Sequence, residues 1–334
     1  MSNLQFFFKF LCMCNDILSL FIFIVLTSCT NKADKNIQAN VNAIENLENQ
    51  SIEPKPQNAY IFPYKLTAKS NQCVLTTELA EISGLAINSH GELIALNDEQ
   101  AIAFRYDFES CKITSEVKFG SVGDFEGIEL VQDTDLFAVK SNGNIIHSKK
   151  DDSEFREMYN TPLSQTNDVE GLGYNPERNI LLVACKGSPN FHKHGRLKKA
   201  KAVFSFSLEK NELNELPLLV IYDEALENWV DDHVDKGDFS KKKMRQFTHR
   251  VKDFSPSGIA YHPLDKNYYL ISSLGKLLVV VESNGNVQHV EFLDKKVYVQ
   301  PEGICFSPDG KMYISNEGKG SHGRILEMPY MSAE

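Results

Sequence analysis

The sequence predicts an all-β protein, a β-propeller of five blades, from three observations. One short motif occurs five times, as EISGLAI, DFEGIEL, DVEGLGY, SPSGIAY and QPEGICF. The motif glycines are separated by 43, 44, 87 and 45 residues, and a repeat of roughly 40–50 residues is typical of propeller blades. Each motif is followed by further short apolar runs bounded by Asn, Asp, Gly or Pro, as in antiparallel strands. The motif glycines are Gly84, Gly127, Gly171, Gly258 and Gly303.

Each repeat supplies the strands of one four-stranded blade. In the second repeat the runs GIEL, LFAV and NIIHS follow one another, and in the fourth GIAY, YYLIS, KLLVVVE and NVQHVEFL do so. The long interval from Gly171 to Gly258 contains one blade with two insertions, residues 188–201 and 224–254. The second insertion is predicted to be helical in its first half.

The last repeat lacks a fourth strand because the sequence ends soon after RILEMPY. The run QCVLTTEL, residues 72–79, supplies that strand from the N-terminal side, and this closure removes free sheet edges. Six blades remain an alternative if YIFPYKL, residues 60–66, belongs to a degenerate blade.

The N-terminal region predicts a lipid anchor. Residues 1–28 contain the apolar run ILSLFIFIVL, which has the length of a signal-peptide core and is too short for a comfortable membrane span. LTSC then resembles the lipobox of bacterial lipoproteins, which implies lipidation of Cys29. An ordinary signal peptide and an uncleaved anchor are the alternatives. Polar residues 29–58 are predicted to be a flexible tether, and 59–330 the propeller domain. The expected location is the cell envelope, on a bacterial membrane.

Composition and the absence of known catalytic motifs limit the classes of function that the sequence supports. A formal charge of −10 argues against nucleic-acid binding. The sequence contains no GxSxG, no phosphate-binding glycine loop and no HExxH. The four cysteines beyond the tether match no metal-binding spacing. Cys305 is expected to be a core thiol, and free thiols are favoured over a Cys73–Cys111 disulfide.

The residue before each motif glycine is expected to lie at one end of the central channel, because the motif links the last strand of one blade to the inner strand of the next. These residues are Ser83, Glu126, Glu170, Ser257 and Glu302. A structural interpretation is that they cap backbone groups. Three clustered carboxylates would repel one another, so either a cation such as Ca²⁺ or the side chains of Lys140 and Lys186 would have to neutralise them. Glu126, Glu170 and Glu302 are therefore candidate metal ligands.

The links from second to third strand lie on the same face and predict a ligand-binding surface. Its candidate residues are Asn97, Asp98, Lys140, Lys186, Ser273, Asn316 and Glu317. The insertions add many basic residues, which indicate solvated loops or, alternatively, an anion-binding rim. Trp229 is expected to anchor the second insertion on the propeller.

The motifs and spacers GDFEGIEL, NDVEGLGYNPERNILLVACKG and QPEGICFSPDGKMYISNEGKG, in this order, resemble the SdiA-regulated domain family over about residues 60–328. The resemblance implies a β-propeller of the bacterial envelope, often lipid-anchored, similar in fold to phytases and NHL-type propellers. It implies no established reaction. By similarity to phytase-like propellers, Glu126, Glu170 and Glu302 are candidate calcium ligands, although the dense acidic clusters of multi-calcium phytases are missing.

Two functional hypotheses follow. The first is a non-enzymatic binding module that is held on the membrane by Cys29 and binds an envelope protein or a small anionic ligand. The second is a metal-dependent hydrolase, phytase-like or lactonase-like, that uses the channel-mouth carboxylates. The fold alone does not decide between them, since propellers host both functions.

Overall fold

The computed structural model describes residues 60–67, 70–149, 152–191, 196–235 and 240–332. They belong to one compact unit, Gln57–Glu334. The predicted signal peptide, the tether and Cys29 lie outside the described residues. Within the described part the chain forms twenty-one β-strands and two α-helices.

The strands form five sheets, each a blade. β1 (Asn71–Val74) comes first along the chain and belongs to the last blade. Blade 1 contains β2 (Ile82–Ile87), β3 (Leu93–Asn97), β4 (Ile102–Asp107) and β5 (Lys112–Lys118). Blade 2 contains β6 (Phe125–Val131), β7 (Asp135–Lys140), β8 (Ile145–Lys149) and β9 (Asp152–Tyr159).

Blade 3 contains β10 (Val169–Asn175), β11 (Ile180–Cys185) and β12 (Ala200–Ser207), and its outer edge is divided between β13 (Glu212–Leu213) and β14 (Leu219–Tyr222). Blade 4 contains β15 (Gly258–Tyr261), β16 (Tyr268–Ser272), β17 (Leu277–Val281) and β18 (Val287–Phe292). Blade 5 contains β19 (Pro301–Phe306), β20 (Met312–Asn316) and β21 (Arg324–Met328). The interval between Gly171 and Gly258 is thus one blade, as predicted.

The inner strands β2, β6, β10, β15 and β19 contact one another in a closed ring, and β19 returns to β2. Five hydrophobic clusters lie between neighbouring blades, one at each of the five interfaces. Each sheet is therefore buried on both faces, which explains why ILLVAC and LLVVV are continuous apolar runs with every residue buried. The predicted five-bladed propeller is confirmed.

The six-blade alternative is wrong, because residues 60–66 form no strand. They pack instead against the turns between the first and second strands of blades 4 and 5. The Tyr64 hydroxyl donates to the Gly310 carbonyl oxygen at 2.6 Å and lies 2.6 Å from His262 Nε2. Aromatic side chains thus anchor this segment on one face of the propeller. The motif glycines lie towards the other face.

β1 closes the ring by pairing antiparallel with β21, with Cys73 opposite Ile325. The strand is shorter than predicted, since Thr77–Leu79 forms a 3₁₀ turn. Cys73 is disulfide-bonded to Cys111, so the preference for free thiols is wrong for this pair. The bridge is formed because closure places β1 in blade 5 beside the β4–β5 turn of blade 1. Cys185 and Cys305 are free and buried, as expected of core thiols.

The second insertion is helical in both halves, not only in the first. α1 (Asp223–Asp235) packs Leu226 and Val230 into the cluster between blades 3 and 4, and α2 (Lys241–Lys252) packs Phe247 and Val251 into it. Trp229 Nε1 donates to the Gln288 carbonyl oxygen at 3.2 Å, so this side chain anchors the insertion as predicted. Neither helix in the described part of the chain has the length and apolarity needed to cross a membrane.

Candidate functional site

The motif glycines lie where neighbouring inner strands touch. A Cβ on Gly127 would lie 2.7 Å from the backbone nitrogen of Leu172, and one on Gly303 would lie 2.8 Å from that of Leu85. Both distances are shorter than side-chain carbons tolerate, so the close approach of the strands requires glycine. The glycine of the motif therefore has a structural role, because it sets the radius of the ring.

The residue before the glycine lies in a β-bulge. The register between first and second strands shifts between Phe125 and Gly127 in blade 2 and between Val169 and Gly171 in blade 3. Corresponding shifts occur in blades 1 and 5. A bulge leaves its extra residue unpaired and redirects its side chain. Four of these side chains line one cavity at the channel mouth: Ser83, Glu126, Glu170 and Glu302. Ser257 is buried and donates to the Pro301 carbonyl oxygen at 2.7 Å.

Backbone hydrogen bonds hold the second-to-third links beside the motif. The amide of Asp98 donates to the Glu81 carbonyl oxygen at 3.3 Å, and that of Glu317 donates to the Gln300 carbonyl oxygen at 2.9 Å. The cavity, of about 580 Å³, is consequently lined by both kinds of link. Of the predicted ligand-binding residues, Asp98, Lys186, Ser273 and Glu317 line it.

The other three predicted residues do not line the cavity. Asn97 is buried, and its side-chain oxygen accepts from the amides of Glu99 and Gln100, which shapes the link. Lys140 Nζ lies 4.9 Å from the centre of the Phe125 ring. Asn316 is 3% exposed, and both of its side-chain polar atoms are without a hydrogen-bond partner.

Two carboxyl groups in the cavity have pKa values far above the ordinary value for glutamate. Burial, followed by the neighbouring carboxylates of Glu170 and Asp124, raises the pKa of Glu126 to about 9. Burial and Glu170 raise the pKa of Glu302 to about 8. Desolvation disfavours the charged form, and like charges add to that effect. Both groups are therefore largely protonated at neutral pH.

The third carboxylate is neutralised by a lysine. Lys186 Nζ lies 2.6 Å from Glu170 Oε1 in a half-buried ion pair. Burial opposes the positive charge of Lys186, but the bond to Glu170 outweighs it and raises the lysine's pKa. One of the two predicted alternatives, neutralisation by Lys186, is thus present as an ion pair with Glu170, and the charge of Lys186 also favours the ionised form of Glu302.

The remaining lining residues include two lysines that the sequence analysis did not select, Lys276 and Lys319. Burial and the nearby Lys319 lower the pKa of Lys276. Both lie within the second-to-third links of blades 4 and 5, so their position in the repeat was the signal that would have found them. In total six carboxyl side chains and three lysines line the cavity.

The arrangement of the three glutamates bears on the predicted calcium site. Among the described residues, no group of three or more His, Cys, Asp and Glu side chains is arranged to hold a metal ion. A Ca²⁺ ion takes six to eight oxygen ligands, and here Glu170 is engaged by Lys186. Calcium binding at these residues stays a prediction.

Comparisons with known proteins find only distant structural likenesses. No family model matches the sequence, and no curated protein does. Solved structures do. The chain is 10% identical to a luciferin-regenerating enzyme, with a TM-score of 0.45, over 78% of this chain and 98% of that one. It is 14% identical to the PQQ-bound aldose sugar dehydrogenase from Streptomyces coelicolor, with a TM-score of 0.42, over 79% and 99% of the two chains.

A chain of the mitotic checkpoint complex is also similar, at 11% identity and a TM-score of 0.39, and this protein spans 61% of its length. These likenesses are too distant to carry an argument. Membership of the SdiA-regulated family remains a resemblance.

A second, larger cleft of about 1120 Å³ lies between the helical insertion and the outer strand of blade 4. Its walls contain the aromatic rings of Trp229, Phe247 and Phe292. Its basic residues include Lys243, Arg245, Lys295 and Lys296. The basic residues of the insertion thus border a cleft on the side of the propeller, outside the channel mouth.

Proposed function

We propose that this protein is a binding module that takes a small polar ligand into the mouth of its propeller channel. The observation that carries the proposal is a cavity of about 580 Å³ whose buried polar groups lack partners within the protein. Ser83 Oγ and Asp98 Oδ1 are both buried without a hydrogen bond. Buried polar groups in folded proteins are normally satisfied, so a ligand or water is expected to complete them.

The volume favours a small molecule over a protein partner at this site. A cavity of this size lies within the range of small-molecule sites, roughly 300–1,000 Å³. The surrounding links are held by hydrogen bonds to the inner strands, so the site is largely preformed. An envelope protein, the other predicted partner, would have to bind the outer parts of the face or the cleft beside α1 and α2.

The test is a ligand screen by thermal shift and calorimetry with the full-length protein. Ligands at the mouth should stabilise the wild type and lose at least tenfold in affinity in Glu302→Gln. Glu116→Gln, an exposed carboxyl on the outer strand of blade 1, is the matched control and should bind as the wild type does. Hits that bind wild type and Glu302→Gln equally would place binding elsewhere and contradict the proposal.

A hydrolase remains the second candidate, because Glu126 retains its proton at neutral pH and could serve as a general acid. This candidate predicts turnover of phosphate monoesters or lactones that is lost in Glu126→Gln. If a metal takes part, elemental analysis should find a cation in the wild type that is absent in the double variant Glu126→Gln, Glu302→Gln. Absence of turnover across both substrate classes would exclude it.

A further inference from the structure

The cleft beside the helical insertion combines aromatic and basic side chains. It has a volume of about 1120 Å³ and lies between α1, α2, β18 and the loop that follows β18. With histidines counted as neutral, five basic and two acidic side chains line it, a formal charge of +3 in a chain whose formal charge is −10. The cleft is therefore opposite in charge to the protein as a whole.

The two acidic side chains of the cleft already have partners within the protein. Glu291 Oε2 lies 3.0 Å from His289 Nε2. Burial lowers the pKa of Arg250, and the nearby carboxylates of Asp294 and Glu291 oppose this effect. Three further basic side chains are exposed and form no ion pair within the described part of the chain: Arg245, Lys295 and Lys296. The positive charge of the cleft is thus left without an internal counter-charge.

The basic side chains lie towards both ends of the cleft. Lys243 and Arg245 are in the first half of α2, and Arg250 is in its last turn. The distance from Lys243 to Arg250 along the helix axis is about 10 Å, at 1.5 Å per residue. Arg250 Nη2 donates to the Leu293 carbonyl oxygen at 2.9 Å, which places the following loop, with its two lysines, beside that end. One small anion is therefore too short to contact both ends.

Aromatic rings form the wall between the two ends. Phe247 lies midway along α2 and stacks on Phe292 of β18, with the ring centres 3.5 Å apart. The half-buried ring of Trp229 stacks on His233 with the ring centres 3.6 Å apart, and its Nε1 is held by a backbone carbonyl oxygen of β18. These contacts fix the rings before any partner binds, which lowers the entropic cost of binding an apolar side chain there.

We propose that the cleft binds an extended acidic segment of a partner protein, with an apolar side chain against Trp229 and Phe292 and carboxylates at both ends. An extended chain advances about 3.3 Å per residue, so three or four residues separate the two groups of carboxylates. The volume exceeds the roughly 300–1,000 Å³ of small-molecule sites, which favours a peptide. This inference concerns a second site and does not depend on the ligand of the channel mouth.

The test uses the fluorescence of Trp229, the one tryptophan of the chain, which reports occupation of the cleft directly. The probes are synthetic seven-residue peptides with two acidic residues at each end and a central leucine between glycines. One control peptide has serine in the centre, and another has amides in place of all carboxylates. In titrations of the full-length protein, the leucine peptide should bind at least fivefold tighter than either control. High salt should weaken its binding, because salt screens exposed charges.

Variants test the two ends of the cleft. The double variant Arg245→Gln, Lys296→Gln removes one charge at each end and should weaken binding of the leucine peptide at least fivefold. Lys112→Gln with Lys118→Gln, at exposed positions on the outer strand of blade 1, is the matched control and should leave binding unchanged. With peptides that are acidic at one end only, Arg245→Gln should lose its effect for one peptide and Lys296→Gln for the other.

Anionic phospholipid vesicles and inorganic phosphate are titrated in the same way. Tighter binding of vesicles than of the peptide, or displacement of the peptide by an equal concentration of phosphate, would overturn the inference. So would equal affinity for the leucine and serine peptides, or no response of Trp229 to any peptide. Glu302→Gln should bind the peptide as the wild type does, so failure of this inference is distinguishable from failure of the channel-mouth proposal.

Discussion

Two adjacent residues of the repeated motif have different physical roles. The glycine allows inner strands to approach within distances that any Cβ would block, as at Gly127. The preceding residue lies in the bulge, so it is left out of the ladder and its side chain is redirected to the channel mouth. A single motif therefore both allows the inner strands to form a tight ring and supplies polar side chains to the channel mouth.

Gly127→Ala should reduce the free energy of unfolding by about 2–4 kcal/mol, because the new methyl would meet the Leu172 backbone and force the strands apart. Urea denaturation measures the change. Gly91→Ala is the control, since its Cβ would meet nothing within 4 Å and only the positive φ of +87° is strained. That variant should lose only about 1 kcal/mol. Equal losses in both variants would show that the close approach is unimportant.

Glu126→Gln should stabilise the protein above neutral pH. The carboxyl ionises near 4.5 in the unfolded chain but only near 9 in the folded one. The folded state thus binds an extra proton between these values, and its stability falls as the pH rises through them. Glutamine cannot ionise, so the gain should grow with pH and reach about 1–3 kcal/mol at pH 8.

Denaturation curves from pH 5 to 9 check this prediction. The difference between wild type and Glu126→Gln should be smallest at pH 5, whereas Glu116→Gln should show no such divergence. Parallel curves for wild type and Glu126→Gln would mean that Glu126 is already ionised in the folded protein.

At the scale of elements, the closing strand β1 is short but doubly fixed. It pairs with β21 over four residues, and Cys73 joins it to Cys111 of the neighbouring blade. The bridge spans 38 residues of sequence, so it restricts the unfolded chain appreciably. Hydrogen bonds and a covalent link together hold the first and last blades in contact.

Reduction of this disulfide should lower the stability by about 2–4 kcal/mol. The measurement compares urea denaturation with and without dithiothreitol. The double variant Cys73→Ser, Cys111→Ser should have the stability of the reduced wild type and should not respond to dithiothreitol. A response of that variant, or no response of the wild type, would contradict the prediction.

At the scale of the whole molecule, the two faces of the propeller differ. The described chain begins at Tyr60 and packs along the turns opposite the channel mouth, where the Tyr60 hydroxyl donates to Asp265 Oδ2 at 3.0 Å. The links and both insertions lie at the mouth side. The first described residues therefore lie on the face that carries no candidate site.

The predicted anchor depends on one residue. Cys29→Ser should abolish incorporation of radiolabelled fatty acid and move the protein from the membrane fraction to the soluble fraction. Cys12→Ser, which lies within the predicted signal peptide, is the control and should still be lipidated. Lipid labelling that persists in Cys29→Ser would contradict the lipoprotein prediction.

The sequence by itself determined the number and order of the blades. Each blade is a local unit of strands and turns. Its apolar runs follow one another along the chain with turn residues between them, as GIAY, YYLIS and KLLVVVE do. The repeat interval then fixed the ring, and the spare N-terminal run indicated how it closes. The clustering of Ser83, Glu126, Glu170 and Glu302 followed from the same regularity.

Only the tertiary structure decided which polar residues share the cavity and in what charge state. Asn97 and Asp98 are adjacent in sequence, yet one shapes its link while the other lines the mouth. The protonation of Glu126, the pairing of Lys186 with Glu170 and the Cys73–Cys111 bridge all depend on burial and on neighbours from distant repeats. Such effects arise from distances between blades, which a sequence pattern repeated along the chain does not encode.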